Sequence, residues 1–94
     1  MTTKKVFTTE QARSVGEQIG LVWGKEPFDV GQFRMGMDVE LEHGAVDSQT
    51  DVTNDDPVLT GKIALAHLRE MADYYTRLYE MEEEGEAYWE AQKK

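Results

Sequence analysis

Residues Asp55–Leu78 read DDPVLTGKIALAHLREMADYYTRL, and this stretch decides the fold class. Asp56 suits a helix N-cap, because its carboxylate can accept from the unpaired N–H groups of a first turn. Pro57 then falls at the first helical position, where it loses no hydrogen bond. Beyond it the segment is apolar on most sides. Leu59, Ile63, Ala66, His67 and Tyr74 define one stripe, and Val58, Leu65 and Leu68 define a second, roughly opposite. Only a strip near Lys62 and Arg69 reads as solvated. A helix apolar on most sides is the buried centre of a domain, so the other helices are expected to gather round it. Near Ala72 the pattern allows a break, with Asp73 re-capping a fourth helix; one longer helix fits the same residues.

Upstream lies AVDSQTDVTNDD, residues 45–56, a polar loop dense in acid. Asp47, Asp51 and Asp55 give it some calcium-loop character. The match to an EF-hand fails, because the loop has no central Gly and no Glu at its last position. Turn and cap roles are expected instead. Before the loop, Phe28 precedes Asp29, and Phe33 falls at the fourth helical position. That arrangement is a hydrophobic staple around an acidic N-cap, and Gln32 is placed to close a capping box. Val30, Phe33, Met37 and Leu41 line one face of this second helix. Gly36 sits at the edge of that face, where a missing side chain lets another helix approach. Gly44 is expected to end the helix after His43, whose partly positive ring suits a last turn.

Nearer the start of the chain, Thr8 and Gln11 make a further capping-box pair. Ala12, Val15 and Ile19 recur at helical spacing, and Gly20 suits the end of this short helix. Leu21, Val22 and Trp23 form an apolar plug, followed by a turn over Gly24–Pro27. Residues 1–7 read as a frayed tail. Past Asp55–Leu78, the residues Met81, Gly85 and Tyr88 continue a helical spacing, with Glu82, Glu83 and Glu84 as a solvated patch. No segment alternates as a strand does, and there is no internal repeat. The fold class is all-α: a compact bundle of three to four helices with a central buried helix. Phe33, Met37, Leu41, Leu59, Ile63 and Leu68 are the expected core. The expected division is a tail at 1–7, a helical domain at 8–82 and a C-terminal helical extension at 83–94.

Ninety-four residues allow one domain. The formal net charge of −9 repels nucleic acid and anionic membrane, since phosphate binding needs Lys and Arg. It suits basic partners, cations or mimicry of a nucleic-acid surface, and it also serves solubility. The chain has no Cys, which excludes disulfides and thiolate zinc sites. No run approaches the ~20 apolar residues of a membrane span. The opening MTTKKVFTTE lacks the apolar core of a signal peptide. A cytoplasmic location is expected.

The blocks FRMGMDVELEHG (33–44) and TNDDPVLTGKIALAHLREMADYYTRL (53–78) carry a resemblance. Their order and spacing resemble those of a small bacterial and phage family known as a domain of unknown function. The resemblance spans Phe7 to Glu82. The family often has Pro before its DYY triplet, where this chain has Ala72. The resemblance implies a compact accessory domain whose relatives sometimes occur in phage or prophage settings, as separate proteins or appended to others, and a virion-associated location if the chain is phage-encoded. It carries no activity.

Two constellations could carry chemistry. Glu40 and His43 are three apart near the end of the second helix, and His67 and Glu70 are three apart on the central one. Residues so spaced share a helix face. Two Glu/His pairs on facing antiparallel helices are the kind of donor set that binds zinc, manganese or iron. The structural alternative leaves His43 as a helix cap, His67 hydrogen-bonded to Glu40 or a Tyr hydroxyl, and Glu70 solvated. His with Glu could act as a general base, but no nucleophile, oxyanion hole or phosphate loop accompanies it, and no catalytic residue is assigned. The second constellation is aromatic: Tyr75, Tyr79, Tyr88 and Trp89 are expected to bind a partner, because Tyr and Trp bury large area and keep a polar tip.

These features lead to a non-enzymatic protein-interaction module whose partner is a second copy of the chain or a phage structural protein. One alternative is a metal-binding helical domain using the Glu/His pairs. Another is an acidic inhibitor that mimics nucleic acid.

Overall fold

The computed structural model describes residues 5–46 and 48–93. It contains four helices: α1 (Thr9–Gln18), α2 (Val30–Val46), α3 (Pro57–Glu70) and α4 (Tyr74–Gln92), with no strand among the described residues. Each start follows from its cap. The Thr8 hydroxyl accepts from the Gln11 backbone while the Gln11 side chain accepts from the Thr8 backbone. Asp29 Oδ1 accepts from the Gln32 backbone at 2.9 Å. The rings of Phe28 and Phe33 stack with centroids 6.5 Å apart, which forms the staple. The Gln32 side chain does not close a capping box; it donates to Thr76 Oγ1 on α4. Asp56 Oδ1 accepts from Val58 and Leu59, with Pro57 first in α3.

Helix ends are less regular. After α1, Gly20 adopts a φ of 98°, and the N–H groups of Gly20 and Leu21 donate to Glu17 and Gly16. That is a Schellman closure, which needs a left-handed residue that glycine supplies freely. Helix α2 continues through Gly44 to Val46, where an end at Gly44 is expected from sequence. Gly44 is buried because the loop folds over it: a Cβ there would lie 3.0 Å from Thr53 Oγ1. The acidic loop is a turn, with Asp51 Oδ1 accepting from the backbone of Thr53 and Asn54. Asp47 lies outside the described residues. Helix α3 ends where Met71 turns extended, and α4 begins after Asp73. Asp73 makes no side-chain cap and instead pairs with Arg77 at 2.8 Å.

Helices α2 and α3 form a central pair, each touching the other and both outer helices, while α1 and α4 do not meet. Phe33, Met37 and Leu68 are buried as expected, and Leu41 is partly buried. The phase of α3 differs from the sequence expectation. Its buried face is Thr60, Gly61, Ala64, Leu65 and Leu68; Leu59 is 43% exposed, Ala66 is exposed and Ile63 is half-buried. The cause is close backbone approach at small residues. A Cβ on Gly61 would lie 2.7 Å from Val15 Cγ1 and 3.1 Å from Phe33 Cζ. Helices that meet through glycine and alanine leave their larger neighbours at the rim.

The expected tail is shorter than seven residues. Phe7 is in the core, and Asp38 Oδ1 accepts from the N–H groups of Val6 and Phe7 at 3.1 and 2.9 Å. Residues 1–4 lie outside the described residues. The expected boundary after residue 82 falls inside α4, which runs through it unbroken. Principal extents are 48 × 28 × 21 Å.

Candidate functional site

A polar cluster forms where α2, α3 and the start of α4 converge. Tyr75 is the second residue of α4 and is 1% exposed. Its ring lies where a Cβ on Gly36 would stand, so only glycine at 36 admits it. The hydroxyl donates to Glu40 Oε2 at 2.7 Å. His67 Nε2 stands 3.7 Å from that same oxygen. The His67 ring stacks flat on Tyr74 with centroids 4.4 Å apart and meets Tyr75 edge-on at 6.1 Å. Its Nδ1 is buried without a hydrogen-bond partner.

Electrostatics fixes who holds the proton. Burial pushes the Tyr75 phenol far above its usual range, and the Glu40 carboxylate adds to this by charge and by accepting the hydrogen bond. Tyr74 is also raised, first by burial and then by Glu40, Glu70 and Glu82. A phenol that cannot ionise near neutral pH gives no general base. Tyr75 is therefore a fixed donor that satisfies a mostly buried carboxylate, and the cluster ties three helices together.

A second buried carboxylate ties in the start of the chain. Asp38, 3% exposed, accepts from Val6 and Phe7 and from Arg34 Nη1 at 2.6 Å. The hollow between α1 and the start of α3, about 310 Å³, is lined by Phe7, Gln11, Ser14, Val15, Gln18, Pro57 and Val58 and holds no titratable side chain.

The far half of α4 is different. Tyr74, Tyr75 and Leu78 bury against the body. Further along, Met81, Tyr88 and Trp89 are 58%, 58% and 65% exposed. Tyr88 and Trp89 meet edge-to-face at 5.2 Å and 88°. A Cβ on Gly85 would meet nothing within 4 Å.

A sequence profile for a family described as protein of unknown function, DUF5661, matches residues 12–84. That is well over half of the chain. The chain belongs to the DUF5661 family. The matched span takes in most of α1, all of α2 and α3, and α4 as far as Glu84. In this DUF5661 chain the exposed Tyr88–Trp89 end of α4 lies beyond it. No curated protein and no solved structure matches the chain. No helix among the described residues is long and apolar enough to cross a membrane.

Of the four residues considered for a metal, the DUF5661 fold brings Glu40 and His67 together. His43 and Glu70 are exposed at the ends of their helices. Among the described residues no three His, Cys, Asp or Glu side chains are grouped to hold a metal ion. The Glu40 oxygen nearest His67 already accepts from Tyr75. Of the aromatic set, Tyr75 is removed from any partner surface by burial. Tyr79 is exposed, but its hydroxyl bonds Glu83 on its own helix, which raises its pKa. Tyr88 and Trp89 stand free of the body. Sequence reasoning missed Asp38. The available signal was an acid beside core-face Met37 with Arg34 one turn before it, an (i, i+4) pair.

Proposed function

We propose that this chain is a non-enzymatic accessory module that docks on another protein through the projecting half of α4. One observation carries this: the face of α4 that seals the body at Tyr74 and Leu78 continues past it as Met81, Gly85, Tyr88 and Trp89 with nothing over it. An exposed stripe with large aromatics is a contact surface in waiting. The resemblance of the two sequence blocks to a family whose members sometimes occur in phage or prophage settings is what supports such a setting, in the cytoplasm or the virion. A metal-binding role has only Glu40 and His67 within reach of each other. A nucleic-acid mimic needs carboxylates alone, and the aromatic stripe between them is unexplained by it.

Deleting residues 85–94 tests this reading. The shortened chain is expected to stay folded, with a melting temperature within a few degrees of the full chain, because Gly85 and the residues after it do not pack on the core. A shortened monomer that melts much lower would show that the segment belongs to the core, and the docking role would fall.

A further inference from the structure

We infer that the occupant of the α4 stripe is a basic amphipathic helix of another protein, and not a second copy of this chain; this rests on the docking role proposed above. The argument begins with spacing. At 3.6 residues per turn, Met81, Gly85, Tyr88 and Trp89 fall on one side of α4. Glu82 and Glu86 run along one flank of that stripe and Glu80 and Glu84 along the other, while Glu90 lies further round the helix and pairs with Lys93 at 3.8 Å. From Leu78 to Gln92 there is no Lys or Arg. The stripe is an apolar seam between two acidic rails.

A second copy laid on this seam would set rail against rail. Charges a few ångströms apart lie within the Debye length of about 8 Å at physiological salt, so salt does not remove the repulsion. The apolar contact is also short. Residues 81–92 span about 18 Å of helix, which is less than the roughly 800 Å² per partner of a stable interface requires. A seam this short needs charge attraction as well as burial. A helix with an aliphatic ridge flanked by Lys or Arg supplies both: the ridge covers Tyr88 and Trp89 and the cations meet the rails. Gly85, with open space beside its backbone, is where such a ridge can come closest.

The test uses the isotope-labelled full chain and two synthetic helical peptides of about three heptads, alike in a Leu ridge. One carries Lys at the flanking positions and the other Glu. The Lys peptide is expected to bind, with amide shifts concentrated in residues 81–92. Its affinity should fall about tenfold or more between low and high salt, and by a similar factor in the Trp89→Ala variant, whose melting temperature should be unchanged. The free chain should sediment as a monomer. Equal binding of the Glu peptide, no binding of the Lys peptide, or shifts centred elsewhere would overturn the basic occupant. A concentration-dependent dimer lost in Trp89→Ala would also overturn it, while leaving α4 as the docking element. Trp89→Ala lowering the melting temperature of a monomer sharply would overturn both.

Discussion

Tyr75 and Gly36 are one device in two residues. The ring fits because position 36 has no side chain, and the hydroxyl then reaches Glu40 on the same helix. Tyr75→Phe keeps the ring but leaves the mostly buried Glu40 oxygen without that donor. It should cost about 1–3 kcal/mol of stability, read by chemical denaturation. The alkaline limb reports the same residue. Because the folded pKa of Tyr75 is raised, its contribution is intact below the unfolded value near 10 and is lost as pH rises past it. The full chain should therefore lose up to about 1.4 kcal/mol per pH unit above pH 10 that Tyr75→Phe does not lose. Equal alkaline slopes in the two proteins would contradict the buried phenol. The role of Gly36 was legible in the sequence, as a gap on the edge of a helix face. That Tyr75 fills it was not, because two adjacent tyrosines look alike until the helix start at Tyr74 sets their directions.

At the scale of elements, three helix caps were legible, the Asp73 cap failed, and the phase of α3 was not legible. Thr8, Asp29 and Asp56 announce helix starts because the unpaired N–H groups of a first turn need an acceptor whatever the fold. The phase of α3 depends on which neighbours come near, and no local rule states that. Large apolar side chains pointed to Leu59 and Ile63, but α1 and α2 close on Gly61, and Ala64 is fully buried. Two glycines separate packing from propensity. Gly85→Ala places a methyl in open space within an exposed helix and should raise the local helix stability of the α4 end by about 0.5–1 kcal/mol, read as slower amide exchange there. Gly61→Ala gains the same propensity but drives its methyl towards Val15 and Phe33, and overpacking of about 1–3 kcal/mol should win. Slower exchange at the α4 end in the first variant and a lower melting temperature in the second are expected; a stabilised Gly61→Ala would mean that α1 and α3 are not in close contact. Leu68→Ala, at a fully buried position, should cost about 2–5 kcal/mol, more than Ile63→Ala at the half-buried one.

At the scale of the molecule, stability should fall steeply along one axis. The α2–α3 pair holds Phe33, Met37, Ala64 and Leu68 fully enclosed. Helix α4 starts against this body and then leaves it, which accounts for an extent of 48 Å against 28 and 21 Å. A helix end without tertiary contact has only its own propensity, and short helical stretches are marginal in water without packing. Hydrogen exchange resolves such differences, because each amide reports the cheapest opening that frees it. Amides of Met37–Leu41 and Leu65–Leu68 should exchange only through global unfolding. Those from Ala87 to Ala91 should exchange orders of magnitude faster, with a gradient beginning near Leu78, the last α4 residue packed on the core. The six Glu of this end repel one another, so protection there should rise as salt screens them, while the core changes little. The Lys-flanked helix should raise it further and locally. Core-like protection of Ala87–Ala91 in the free chain would require that something already covers Tyr88 and Trp89, either the chain's own body or a second copy, and the projecting α4 would have to be abandoned.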